Sequence, residues 1–172
     1  NTLDLTHDDV MEISKKKENV KFLYHSYETG DIVTAFEPFL DWIKELFYEL
    51  SDESLEEFFE NAGVYILHRP IFKSYFETGV CRRKEEVLIN EIDFELEKLY
   101  KEICRMLERL SQKKPLMLVL NRIHYAGNST INLIDELLSG VYGGKIAVLA
   151  TYNDLFGVVE YCQNDWNRMV SK

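Results

Sequence analysis

Apolar residues follow two rhythms along this chain. From Leu116 to Leu120 they are consecutive, Leu-Met-Leu-Val-Leu, and the run stops at Asn121-Arg122. Five residues are too few for a helix, and an unbroken apolar run suits a strand buried on both faces, as in a parallel sheet. The stretch 146–150 repeats that pattern and ends at Thr151-Tyr152-Asn153-Asp154. A third stretch, Val-Lys-Phe-Leu-Tyr-His-Ser-Tyr at 20–27, is rich in β-formers. Between these runs, apolar residues recur at three- and four-residue steps, the helical spacing. Residues 4–17 predict a helix with Leu5, Val10, Met11 and Ile13 on its apolar side, Thr6 as N-cap and Asp8 and Asp9 in its first turn. Residues 35–50 predict a second, with Phe36, Phe39, Leu40, Ile43, Leu46, Phe47 and Leu50 on one stripe and Thr34 or Asp31 at its start. Residues 52–61 predict an acidic helix capped by Ser51 or Asp52 and ended by Gly63. A looser set of short helices follows to Gly79, with Pro70 suited to a first turn.

The longest helical pattern runs over 82–113, where Leu88, Ile92, Leu96, Leu99, Ile103, Met106, Leu107 and Leu110 form the stripe and Glu97–Lys101 sits at i,i+4. After the central apolar run, Asn128-Ser129-Thr130 offers capping side chains to a helix carrying Ile131, Leu133, Ile134, Leu137 and Leu138. An irregular helix is expected over 155–170. The expected fold is therefore α/β: a parallel sheet of about three strands, roughly 20–27, 116–120 and 145–151, flanked by helices in one domain over 1–172. Polar residues at the carboxyl end of such strands sit where open α/β sheets place ligands, so Asn121 and Arg122 are the first candidates for chemistry.

The block from Leu116 to Thr130 resembles the Walker B region of STAND/AAA-type P-loop NTPases, regulatory ATPase domains joined to transcription-factor or cyclic-dinucleotide signalling modules. Their pattern is a hydrophobic strand, two acids, one apolar residue, His-Trp-Ala-Asp, then a helix opened by Ser-Thr. This chain has Leu116–Leu120, Asn121-Arg122, Ile123, His124-Tyr125-Ala126-Gly127, then Ser129-Thr130. The resemblance extends to Tyr24-His25-Ser26-Tyr27-Glu28, a strand with a polar end, and to the aromatic-proline turn Phe36-Glu37-Pro38-Phe39. It implies that Asn121, Arg122 and His124 occupy Walker B positions and that Thr151 and Asn153 match the sensor position. In the family the first acid holds the magnesium shell and the second positions the attacking water. Asn121 keeps hydrogen-bonding capacity without charge, and Arg122 inverts the charge. No Walker A sequence, Gly-x-x-x-x-Gly-Lys-Ser/Thr, occurs. The turn Gly140-Val-Tyr-Gly-Gly-Lys145 has the wrong spacing and precedes a strand. No catalytic residue and no metal ligand is therefore assigned, and no cofactor is expected. ATP with magnesium enters only if a phosphate loop is supplied from outside this chain.

Composition narrows the partners. A net charge of −10 argues against direct nucleic-acid binding and against docking on anionic lipid. No apolar run approaches the roughly 20 residues of a membrane span, and the acidic N-terminus is no signal peptide. Cys81, Cys104 and Cys162 are odd in number and widely spaced, which suits a reducing cytoplasm. His7, His25, His68 and His124 are scattered singles. The chain does not begin with Met, as expected of a piece of a larger bacterial-type signalling polypeptide. The expected function is a non-catalytic, NTPase-like regulatory module working through protein partners or other domains of its own polypeptide, with self-association compatible. The alternatives are a piece of a true STAND ATPase whose Walker A lies before residue 1, and a helical scaffold with no α/β core.

Overall fold

Pro115 closes the longest helix, and the apolar run behind it becomes the middle strand of a sheet. In a computed structural model, which describes residues 5–28, 36, 38–79 and 92–152, the elements run α1 (His7–Lys15), β1 (Lys21–Ser26), α2 (Phe39–Leu50), α3 (Leu55–Asn61), α4 (Arg69–Thr78), α5 (Ile92–Lys113), β2 (Leu116–Asn121), a 3-10 turn (Ile123–Tyr125), α6 (Asn128–Ser139) and β3 (Ile146–Ala150). The strands form one sheet in the order β1-β2-β3. Both pairings are parallel, with Lys21 beside Leu116 and Leu116 beside Ile146. The chain is thus an α/β fold with a three-strand parallel sheet flanked by helices, and a scaffold of helices alone is ruled out.

Register and the two-residue period of strands define the faces. One face carries Leu23, Leu116, Leu118 and Leu120, all buried, with Ile146 and Val148 packed beside them. It meets a core built from α2, α5 and α6, in which Ile43, Leu46, Ile103, Met106, Leu107, Leu110 and Leu133 have no exposed surface. Each such side chain contributes about 1.5–3 kcal/mol by leaving water. The other face carries Phe22, Tyr24, Met117, Val119, Ala147 and Leu149. Helix α1 packs on β1, where the Tyr24 hydroxyl donates to Leu5 O at 2.8 Å and the His7 ring meets the Tyr24 ring edge-on at 5.5 Å. Of the apolar residues predicted for α1, Val10 is buried, Leu5 is half-buried, and Met11 and Ile13 are largely exposed.

Several boundaries differ from the sequence expectation for physical reasons. Thr6 caps α1 as expected, in a reciprocal box with Asp9. The cap of α3 is Ser54 rather than Ser51 or Asp52, because Glu57 three residues on completes the same kind of box. α6 begins one turn-position early: Gly127 is its N-cap, so Asn128, Ser129 and Thr130 lie inside the helix. The region expected as loose short helices contains a ten-residue α4, opened by Pro70 and closed by Gly79 in the left-handed region at φ 72°. α3 and α4 bury Phe58, Phe59, Phe72 and Phe76, the Phe59 ring lying edge-on to Phe76 at 5.5 Å. The long helix is described from Ile92 onward, and its stripe residues Ile103, Met106, Leu107 and Leu110 do face the core. The strand expected to be as buried as β2 is instead a margin of the described sheet: Ala147, Leu149 and Ala150 of β3 are exposed, Leu149 by 44%. It has one neighbouring strand where β2 has two. The helix predicted from residue 35 begins instead at Phe39, with Pro38 at its N-cap and Phe36 in the left-handed region at φ 69°, which a continuous helix excludes. The expected caps Asp31 and Thr34, residues 82–91, Cys81, Cys162, Asn153 and the helix expected over 155–170 lie outside the described residues.

Candidate functional site

Ser26, Asn121 and Thr151 come from three strands far apart in sequence and end up side by side. Ser26 pairs in register with Asn121, and Thr151 follows Ala150, which pairs with Leu120. The three residues therefore share one face of the sheet at its carboxyl end. Asn121 is 3% exposed. Its amide nitrogen donates to Ser26 Oγ at 3.1 Å, and its amide oxygen accepts from the Thr151 hydroxyl. A buried carboxamide needs donors for its oxygen and acceptors for its nitrogen, and here the flanking strands supply both. The backbone continues the lacing. Tyr27 N donates to Asn121 O at 3.1 Å, and Thr151 N donates to Leu120 O at 3.0 Å.

Arg122 turns the chain. It has φ 56° and ψ 44°, left-handed values that a residue with a Cβ seldom adopts. This turn aims its N–H at Thr151 Oγ1, 3.1 Å away, and the next N–H, that of Ile123, at Thr151 O, 2.9 Å away. Ile123 is then fully buried, which anchors the turn in the core. His124 follows in the 3-10 turn at 4% exposure, its ring 4.1 Å from that of Tyr125.

The predicted positions are thus partly assembled. Asn121, the Arg122 backbone and Thr151 meet at one place. His124 is buried in the turn behind them. Asn153 lies outside the described residues. In β1 the residue of the Tyr24–Glu28 block that joins the group is Ser26. His25 falls on the opposite parity of the strand, with its ring against Tyr27 at 4.5 Å. The signal that finds Ser26 is strand parity combined with register, and register is set by pairing rather than by β1 alone.

Chemically, this is a neutral set: two hydroxyls held by one amide. An amide neither carries charge for a cation nor serves as the base that makes a hydroxyl nucleophilic. Among the described residues no three of His, Cys, Asp and Glu are arranged to hold a metal ion. The glycine-rich turn after α6 is likewise committed internally. Gly143 N donates to Glu108 Oε1 at 2.5 Å, Gln112 Nε2 donates to Gly143 O at 2.7 Å, and Lys145 N donates to Ser111 Oγ at 2.9 Å. A Cβ on Gly144 would lie 2.7 Å from Ser111 Oγ, so glycine there lets the turn close on α5. An amide already on a carboxylate does not cradle phosphate.

Cys104 is buried, and burial pushes its thiol up to about 12, so it stays protonated and unreactive. None of the helices in the described residues is long and apolar enough to cross a membrane. Comparison with family models, curated proteins and solved structures found no match to this chain.

Proposed function

We propose that the chain is a non-catalytic, P-loop-NTPase-like regulatory module that acts through contacts with protein partners or with other domains of its own polypeptide. The observation that carries the reading is the strand-end amide of Asn121, buried and tied to hydroxyls of both neighbouring strands. In the NTPases that the Leu116–Thr130 block resembles, an acid at this position serves magnesium. A buried neutral side chain bonded to both flanking strands serves the sheet instead. Arg122, at the second acid position, adds positive charge where a cation would be needed. The exposed apolar side chains Tyr48, Tyr65, Ile66, Leu67 and Leu138 suit partner contacts on an otherwise acidic chain. The family reading rests on the sequence block and on fold-level analogy, and its cytoplasmic, signalling and bacterial implications share that basis.

The test is turnover and assembly measured together. With saturating Mg-ATP, the purified chain is expected to release no phosphate above a protein-free control. Phosphate release that is lost in Asn121→Ala would overturn the reading. Sedimentation velocity is expected to show self-association, or a complex with a neighbouring domain of the polypeptide. A strict monomer that binds neither would count against a regulatory role.

One observation favours a second reading, an ATPase whose phosphate loop is supplied by sequence before Asn1. Among the described residues no strand covers the outer edge of β3, and its Ala147 and Leu149 face is exposed. Apolar parallel edges of this kind are normally covered. ATP turnover by a longer polypeptide that begins before Asn1 would support this reading over the first.

A further inference from the structure

His68 belongs to none of the strand ends. It stands at the N-cap of α4 and is 3% exposed. Its Nδ1 lies 2.7 Å from Glu102 Oε2 and its Nε2 lies 2.7 Å from Glu95 Oε2, both carboxylates coming from α5. The second oxygen of Glu102 accepts from Tyr65 N at 3.0 Å. The second oxygen of Glu95 accepts from Lys98 Nζ at 2.8 Å, and that ammonium sits 5.2 Å over the Tyr65 ring. The Tyr65 ring meets the imidazole edge-on at 5.5 Å. Arg69, next in sequence, donates from Nε to Val64 O at 3.1 Å. Among the described residues, the charged and titratable groups around the imidazole are therefore Glu95, Lys98 and Glu102 from α5, with Tyr65 and Arg69 from its own segment.

A neutral imidazole has one N–H and one lone pair, so it satisfies one carboxylate and repels the other. Two carboxylates at 2.7 Å require an additional proton on the triad, and the imidazole is the group best placed to carry it. We propose that His68 is a proton-operated latch that fastens the turn between α3 and α4 to α5. When the proton leaves to solvent, Nδ1–H stays on the deeply buried Glu102. Nε2 then presents its lone pair to Glu95, whose side chain is 20% exposed and withdraws toward Lys98 and water. The turn that loosens is the one presenting Tyr65, Ile66 and Leu67, which are 46%, 65% and 64% exposed. Proton loss therefore alters the longest consecutive run of exposed large apolar side chains among the described residues.

The sign follows from the neighbours. Glu102 first, then Glu95, holds the His68 proton above the ordinary value of 6.5, against the opposing effect of burial. Lys98 first, then His68, holds Glu95 below the ordinary 4.5. The His68 contribution is complete below about pH 6.5 and is lost as pH rises through the raised value. The Glu95 contribution is present above about pH 4.5 and is lost as pH falls through the lowered one. The latch holds between these limits.

The test uses the full chain and NMR across pH 5–9. The His68 imidazole is expected to titrate above 6.5. Amide-exchange protection factors of Tyr65, His68 and Arg69 are expected to fall by up to about tenfold per pH unit from about pH 6.5 up to the His68 midpoint, and to level off above it. In His68→Gln this additional pH dependence should vanish. In Glu95→Gln, which leaves the buried Glu102 contact in place, the His68 titration should move to lower pH. Titration of His68 at or below 6.5, or protection factors equally flat with pH in the unsubstituted chain and in His68→Gln, would overturn the proposal. An unchanged His68 titration in Glu95→Gln would do the same.

Discussion

Asn121 and Arg122 are adjacent yet serve different ends. The Asn121 side chain closes the sheet between Ser26 and Thr151, whereas the Arg122 backbone turns the chain toward β3. Asn121→Ala leaves the two hydroxyls without their partner and is expected to lower stability by about 1–3 kcal/mol in urea unfolding. Asn121→Asp should fold close to normally, because the Ser26 and Thr151 hydroxyls can both rotate to donate to a carboxylate. A loss as large as that of the alanine variant would show that the amide N–H is indispensable. Arg122→Val forces a β-branched residue into the left-handed region and should cost about 1–2 kcal/mol, whereas Arg122→Gly should stay within about 1 kcal/mol of the unsubstituted chain. At this scale the sequence is half legible. An abrupt end to an apolar run marks Asn121, and the polar residues after the next run mark Thr151. Ser26 and the His68 triad are hidden, because one depends on strand register and the other on residues 27 and 34 positions apart in the chain.

At the scale of elements, the starts of α1 and α3 follow side chains that bond the first free N–H groups, whereas α2, α4 and α6 begin without a side-chain cap. Ser54 and Glu57 hold each other's backbone N–H at the start of α3. Ser54→Ala should cost about 1 kcal/mol by thermal or urea unfolding. The same loss for Ser51→Ala would show that the cap had been misassigned. Phe59 packs α3 onto α4, and Phe59→Ala should cost about 3–5 kcal/mol, with a smaller loss if the neighbouring rings collapse into the space. The strands and the longest helix are legible from apolar rhythm alone, since a five-residue run and a long i,i+3/i+4 stripe admit few alternatives. The position of β3 at the margin of the described sheet is not. Its apolar letters match those of β2, and only strand order distinguishes a strand with two neighbours from one with one.

At the scale of the whole molecule, parallel order places the polar ends of three strands together, and that arrangement gives the Asn121 position its meaning. The same end of the sheet in a working NTPase would hold cation and nucleotide. Here the contacts at that end run between strands. The side-chain amide of Asn121 reports on both possibilities in one experiment. In 1H–15N spectra of the labelled chain titrated with Mg-ATP, its two NH2 resonances are expected to be resolved and slow to exchange with solvent. They should not move up to millimolar nucleotide. A saturable shift of those resonances at micromolar Mg-ATP would mean that the strand ends still receive nucleotide, and would contradict a module that works without a nucleotide cofactor.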